Sequence, residues 1–128
     1  MRVNITAPFL LTKALLPLLL KSSGSRIVFT GSSVGKKARA YWGAYSVSKA
    51  ATENLMQLLA DELDGTNNNI IVNSINPGAT RTSMRAMAYP AENPSCVPSP
   101  KDIMNRYIFL MGPDNIGTSG KQFNAQPK

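Results

Sequence analysis

The strongest constraint on the fold is the alternation of short apolar segments with longer helical ones. Arg26–Thr30 and residues 70–75 are rich in β-branched side chains, which is typical of buried strands. One helical pattern precedes the first strand at residues 9–20, and another lies between the two strands at Gly43–Leu63. Strands that alternate with helices in this way form parallel sheets covered on both faces. The sequence therefore predicts an α/β fold.

The segments around these four elements predict the connections and the rest of the sheet. The remaining predicted elements are turns at residues 22–25 and 66–69, a helix end at Gly65, a Gly/Ser loop at 31–39, a short helix within 81–100, a helix at 101–111 and a strand at 121–125. Three strands make a thin sheet. We therefore predict one partial α/β domain over residues 1–128.

The spacing of apolar residues also predicts which side of each long helix faces the core. Lys13 interrupts the first apolar stretch and no small-residue cleavage pattern follows it, which favours a core-packed helix over a secretory signal or a membrane span. Its predicted inner residues are Phe9, Leu10, Ala14, Pro17 and Leu18. The second helix is predicted to bury a broad apolar face of Ala44, Val47, Ala51, Leu55, Leu58 and Leu59.

Composition restricts the chemistry. The chain has no histidine and a single cysteine, Cys96, which excludes an internal disulfide, a His-based metal site and any Ser-His-Asp mechanism within it. We therefore predict no metal site. The net charge of +7 is uneven, because eight basic residues precede Glu53, the first acidic one. This basic half is expected to face a partner segment or to bind phosphate or nucleic acid, although no basic run is interleaved with aromatic residues.

Tyr45 and Lys49 are the first candidates for catalysis. They lie four residues apart near the start of a predicted helix, so they share one face. A phenol is a poor base at neutral pH. An ammonium about 4 Å away would stabilise a phenolate by up to ~4 kcal/mol at an effective dielectric of ~20, which suits the phenol to proton transfer. The same pair is also common on protein surfaces.

The ends of the two strands supply further candidates. Ser32 follows the first strand, and Pro77 and Gly78 follow the second. Ligands of open α/β sheets bind beyond the carboxyl ends of the strands, so these residues are expected to face a ligand. The loop after the first strand offers two further sets of candidates. Lys36, Lys37 and Arg39 are expected either to form an ordinary solvated loop or to contact an anionic substrate or a cofactor phosphate, and Tyr41 and Trp42 either to line a substrate pocket or to pack within the fold.

Together these motifs resemble the short-chain dehydrogenase/reductase family. The matching pieces are a strand that ends in Gly-Ser before a Val-Gly turn, a Tyr-x-x-x-Lys helix, and an Asn-Pro-Gly strand end followed by Thr80. Asn4, 28 residues before Ser32, falls where that family has an active-site asparagine. The motifs span essentially the whole chain. Segments 42–45, 77–86 and 123–127 are similar to one group of bacterial oxidoreductases within the family.

The resemblance implies hydride transfer between NAD or NADP and a carbonyl or alcohol substrate, with a role for each motif. Tyr45 would be the general acid or base, and Lys49 would favour its ionised form and hydrogen-bond the nicotinamide ribose. Ser32 would hydrogen-bond the substrate oxygen, and Asn4 would hold a water in a proton relay to Lys49. The other implied cofactor contacts are Pro77 and Gly78 along the nicotinamide, and Thr80 and Thr82 at its carboxamide or phosphates.

The resemblance also implies a Rossmann-like, doubly wound parallel sheet with an amino-terminal half whose Gly-rich turn holds the pyrophosphate. No such turn precedes Asn4. We therefore expect a partial sheet that lacks this dinucleotide-binding half, and a chain that is inactive alone. The strand Arg26–Thr30 would then be an exposed apolar edge, which favours association.

Expected partners follow from the same resemblance. They are a small-molecule carbonyl or alcohol and, when the protein is full length, identical subunits in a homodimer or homotetramer. No nucleic-acid or membrane partner is expected, and the location is expected to be cytoplasmic. In the family the helices at residues 4–20 and 44–63 form the dimer interface. The alternatives are a non-catalytic remnant that keeps only this dimerisation surface, and a basic nucleic-acid module, which the charge alone favours.

Overall fold

The computed structural model describes residues 2–22, 24–64, 70–113, 115 and 118–126. The predicted helix end at Gly65 and the turn at 66–69 lie outside these residues. In chain order the elements are a π-helical turn (Arg2–Thr6), α1 (Ala7–Lys21), β1 (Arg26–Thr30), α2 (Ser33–Lys36), α3 (Gly43–Leu63), β2 (Ile71–Asn76), α4 (Ser83–Ala88), 3-10 turns at Pro94–Cys96 and Pro100–Ile103, α5 (Met104–Met111) and β3 (Gln122–Asn124). This order confirms the predicted α/β class.

The three strands form one parallel sheet in the order β1-β2-β3. The central strand β2 is buried from Ile71 to Ile75, as predicted. The prediction that β1 is also buried is wrong, because Phe29 is its one buried residue. The physical reason is position: within the described residues β1 pairs only with β2, which leaves its other edge without a neighbouring strand. The expected apolar edge is therefore present.

Helix α3 crosses the sheet and supplies much of the core with its second half. Met56, Leu59 and Leu63 pack with Phe29 of β1 and Val72 of β2 in one apolar cluster. The first half of the same helix buries polar side chains, which are Ser46, Ser48, Lys49, Thr52 and Glu53. The second half of α3 therefore packs against the sheet, and the first half carries buried hydrogen-bonding groups.

The predicted inner face of α3 is wrong for most of its length. Val47 and Leu58 are 56% and 50% exposed, and of the predicted face only Leu59 is buried. Hydrogen bonding explains the reversal. The Ser46 hydroxyl donates to the carbonyl of Val34, and the Thr52 hydroxyl donates to the carbonyl of Asn4, so polar side chains inside the fold find partners.

Helix α1 also differs from its prediction. None of its residues is buried, and the side chains packed against the core are Leu16, Leu19 and Leu20. All five residues expected to face inward are exposed, with Phe9 at 52% and Leu18 at 65%. By length and composition alone, the helical run Arg2–Lys21 could cross a membrane, with a mean hydropathy of 1.6. That criterion is weak, since core helices and signal sequences also meet it.

The segment predicted as a Gly/Ser loop at residues 31–39 contains the short helix α2. Ser32 begins it, because its side chain accepts a hydrogen bond from the backbone N–H of Val34. Gly35 then packs against the backbone of Lys49, where a Cβ would lie 2.7 Å from the carbonyl oxygen. The predicted short helix within 81–100, the helix at 101–111 and the final strand are confirmed as α4, α5 and β3.

Candidate active site

A cavity of about 730 Å³ lies beyond the carboxyl ends of β1 and β2. Six of the eight residues predicted for the site line it: Ser32, Tyr45, Pro77, Gly78, Thr80 and Thr82. The other two, Asn4 on the π-helical turn and Lys49 on α3, are not among the residues that line it. The cavity is therefore at the place where open α/β sheets bind ligands.

Ser32 lies between the end of β1 and the start of α2. Its side-chain oxygen accepts a hydrogen bond from the Val34 N–H at 3.4 Å, which caps the short helix. The Ser46 hydroxyl donates to the carbonyl oxygen of Val34 at 2.9 Å and ties that helix to α3. The capping bond uses Ser32 only as an acceptor, so the hydrogen of its hydroxyl is available to a ligand.

Tyr45 and Lys49 share one face of α3, as their spacing predicts. The ammonium nitrogen of Lys49 lies 5.7 Å from the centroid of the Tyr45 ring. It donates a hydrogen bond to the carbonyl oxygen of Thr30 at 3.1 Å, which fixes it at the end of β1. Burial lowers the pKa of Lys49, and the negative charge of Glu53 acts against that shift. A buried ammonium is therefore held beside the phenol ring.

Asn4 connects the π-helical turn to α3. Its side-chain amide nitrogen donates to the hydroxyl of Ser48 at 3.0 Å, and its backbone carbonyl accepts from the Thr52 hydroxyl at 3.0 Å. Ser48 directly precedes Lys49 in the helix. The structure therefore brings Asn4 to the helix that carries both Tyr45 and Lys49, although it does not line the cavity.

The loop after β2 is held in place from the far end of the chain. Gly78 has φ 74°, in the region that favours glycine, and its N–H donates to the Asn76 side-chain oxygen at 3.0 Å. The side-chain amide of Gln126 donates to the carbonyl oxygens of Pro77 and Ala79. The sequence offered no pattern for Gln126 as a site residue, because its contacts lie almost fifty positions away.

Thr80 and Thr82 follow on the same loop. The Thr80 hydroxyl donates to the carbonyl of Gly78 at 3.1 Å. The Thr82 side-chain oxygen accepts from the backbone N–H of Arg85 at 3.2 Å and begins α4. Both side chains line the cavity, so both predicted positions are close to a ligand bound there.

The outer wall of the cavity is mostly apolar and aromatic. Its further lining residues are Arg39, Tyr41 and Trp42 before α3, Met84, Arg85, Ala88 and Tyr89 on and after α4, and Pro100, Ile103, Met104 and Tyr107 near α5. Arg85 donates two hydrogen bonds to the carboxylate of Glu92 and stacks on Tyr89. Tyr41 and Trp42, the two candidates for a substrate pocket, both line the cavity, and of the basic loop residues Arg39 lines it whereas Lys36 and Lys37 do not.

Comparison with known proteins places this geometry in context. A family model described as short chain dehydrogenase matches residues 1–93. The chain is 55% identical over 127 residues to the uncharacterized oxidoreductase YciK of Escherichia coli. The aligned region covers 99% of this chain and 49% of that protein.

Two solved structures of bacterial short chain dehydrogenases are similar along nearly the whole chain. One, from Shigella flexneri in complex with NADP, has a TM-score of 0.93 and 54% identity, and the match covers 98% of this chain and 52% of that one. The other, from Escherichia coli CFT073 in complex with NADPH, has a TM-score of 0.93 and 55% identity and covers 98% and 51%. This chain therefore spans about half the length of each of these three relatives.

Proposed function

This chain belongs to the short chain dehydrogenase family, and on that premise we propose that it is the catalytic part of an NAD(P)-dependent oxidoreductase. The proposed reaction moves a hydride between a nicotinamide cofactor and a carbonyl or alcohol of a small molecule. The observation that carries the proposal is the cavity that gathers Ser32 and Tyr45 with the loop after β2. Crystals of two relatives with NADP or NADPH support NADP as the cofactor, with NAD as the alternative.

The loop after β2 suits the nicotinamide end of such a cofactor. When bound, the cofactor supplies or accepts the hydride, which no side chain can do. Pro77 and Gly78 would line the nicotinamide ring. The Gln126 side-chain amide supports this assignment, because its hydrogen bonds to the carbonyl oxygens of Pro77 and Ala79 hold the backbone on both sides of Gly78 in place. The hydroxyls of Thr80 and Thr82 would hydrogen-bond the cofactor's carboxamide or phosphates, because both side chains border the same cavity.

Proton transfer is assigned to Tyr45. Its hydroxyl would give a proton to the carbonyl oxygen in reduction, and its phenolate form would take one from the alcohol in oxidation. Ser32 would donate its free hydroxyl hydrogen to that oxygen as negative charge develops. The Lys49 ammonium, 5.7 Å from the centroid of the Tyr45 ring, would favour negative charge on the phenol oxygen and hydrogen-bond the nicotinamide ribose.

Asn4 is assigned an indirect part. We propose that it holds a water that passes protons toward Lys49. Its hydrogen bond to Ser48 sets it one residue from that lysine along α3, which supports the assignment.

We propose that residues 1–128 have little activity alone, because they span about half the length of the Escherichia coli oxidoreductase that they match. The test therefore joins this chain to the part of the Escherichia coli relative that it does not cover. Oxidation of NADPH by a panel of small aldehydes and ketones is followed by absorbance. Tyr45→Phe should lower turnover by roughly 10²–10⁴, the usual contribution of a general acid.

The control for this test removes a hydroxyl away from the cavity. Thr12 on α1 donates only to the carbonyl of Pro8 among its described partners, so Thr12→Val should leave turnover close to that of the unchanged chimera. Near-normal turnover in Tyr45→Phe would refute the role of the phenol. A chimera that binds NADPH but reduces nothing in the panel would favour the non-catalytic alternative.

We further propose that the full-length protein is a cytoplasmic homodimer or homotetramer without a membrane or nucleic-acid partner. The outward apolar residues of α1 and α3, such as Leu18 and Val47, support an assembly surface. Packing of Leu16, Leu19 and Leu20 on the core argues against a membrane role for α1. The same surface favours the second candidate function, a non-catalytic dimerisation module. Size-exclusion chromatography together with the chimera assay separates the two.

A further inference from the structure

Glu53 is a buried carboxylate beneath the candidate active site. It is 5% exposed, and among the acidic residues that the structure describes it alone is buried. It follows Lys49 by four residues and Tyr45 by eight, so the three side chains lie along one face of α3. It does not line the cavity, and the proposed reaction gives it no step.

The carboxylate joins three parts of the fold. The Ser74 hydroxyl of β2 lies 2.9 Å from both of its oxygens, and the Gln122 side-chain amide of β3 donates to Oε1 at 2.8 Å. The same Gln122 nitrogen lies 3.4 Å from the carbonyl oxygen of Ser32. A Cβ added to Gly31 would collide with the carboxylate, so the turn that carries Ser32 rests directly on Glu53.

The carboxylate also acts on Lys49 through charge. Burial lowers the pKa of Lys49, and the field of Glu53 raises it. The elements packed around Lys49 are α2, the π-helical turn, β1 and β2. Their titratable side chains, with those of the first half of α3 itself, are Lys36, Arg2, Arg26, Tyr45 and Glu53, and β2 has none. Among the described residues of these elements, Glu53 is therefore the one negatively charged group that opposes the effect of burial on the pKa of Lys49.

A buried charge is costly unless it is paired and hydrogen-bonded, so a carboxylate at this position needs a reason beyond packing. We propose that Glu53 is a positioning residue, which supports the Ser32 turn through its contacts with Gly31 and Gln122 and favours the charged form of Lys49 four residues before it on the same face of α3. The inference rests on the proposed function of Lys49 and Ser32. Without the negative charge, burial would favour the neutral amine, which stabilises a phenolate less than an ammonium does.

The test measures the titration of Lys49 in the full 128-residue chain by NMR with lysine labelled at the ε-carbon. Its signal is identified by its disappearance in Lys49→Arg. Glu53→Gln keeps the shape and removes the charge, so the pKa of Lys49 should fall below that of the unchanged chain. Glu62→Gln removes an exposed carboxylate from the same helix and should leave the titration of Lys49 as it was.

The outcomes separate positioning from a purely structural role. A folded Glu53→Gln chain in which Lys49 titrates as before would overturn the proposal. If that variant does not fold, Glu53→Asp is measured in its place. It keeps the negative charge on a side chain that is one methylene shorter, so the pKa of Lys49 should fall by less than complete loss of the charge would cause. Loss of fold in both variants would assign Glu53 to the fold alone and also overturn the proposal. No cofactor or substrate is present, so a failed chimera assay leaves this result standing.

Discussion

The contact between α2 and α3 at Gly35 allows a prediction in which two known effects oppose each other. Alanine in place of glycine within a helix normally adds up to about 1 kcal/mol of stability. At Gly35, however, the new Cβ would lie 2.7 Å from the carbonyl oxygen and 2.8 Å from the carbonyl carbon of Lys49. These are backbone atoms of a 21-residue helix, so they cannot turn aside as a side chain would.

Overpacking of this kind typically costs 1–3 kcal/mol, roughly twice the gain from helix propensity. We therefore expect Gly35→Ala to lower the free energy of unfolding by about 1 kcal/mol, or a factor of about five in the ratio of folded to unfolded chains. Urea unfolding at low protein concentration, followed by the fluorescence of Trp42 and by circular dichroism, measures this value.

Gly24→Ala is the matched control, because its Cβ would lie no closer than 3.9 Å to any atom, and that atom belongs to the flexible side chain of Arg26. It should be neutral. If Gly35→Ala proved as stable as the unchanged chain, the close approach of α2 to Lys49 would be wrong, and so would the placement of Ser32 that depends on it.

Two further predictions concern charge and the outward faces of the helices. The hydrogen bonds from Arg85 hold the pKa of Glu92 below its ordinary value of 4.5. The stability added by this pair is therefore complete above pH 4.5 and is lost as the pH falls through the lowered pKa of Glu92. Glu92→Gln should be less stable than the unchanged chain at neutral pH and equally stable in strong acid. Urea titrations at each pH measure this difference. A difference that persists in acid would exclude the pair as its cause. The exposed residues Phe9, Leu18 and Val47 should make the chain associate, since burying half of such a side chain contributes about 1 kcal/mol. Sedimentation velocity should show species larger than a monomer that Leu18→Lys and Val47→Lys reduce, and a chain that stays monomeric at all concentrations would contradict this reasoning.

The sequence was sufficient for the longer elements because each of them has a local signal. The β-branched run of Arg26–Thr30, the long helical pattern of Gly43–Leu63 and the apolar stretch before Pro77 depend only on neighbouring residues. The family motifs then indicated candidate site residues, and six of the eight line one cavity. The roles of these residues stay predictions until turnover is measured.

The inner faces of the helices were not predictable in the same way. Apolar periodicity assumes that the apolar side of a helix faces the core, but α3 buries Ser48 and Thr52 and exposes Val47. That arrangement depends on hydrogen-bond partners far along the chain, such as Asn4, 48 residues from Thr52. Gln126 and Glu53 escaped notice for the same reason, since their partners lie 21 to 69 positions away.

The reversed polarity of α3 has a consequence for how this segment tolerates change. In most helices apolar positions resist substitution and polar positions accept it. In the first half of α3 the order is inverted: in the isolated chain the outward Val47 should accept polar residues, whereas the inward Ser48 and Thr52 should reject apolar ones of similar size. A substitution scan judged by hydrophobicity alone would rank the positions of this half of the helix in the wrong order.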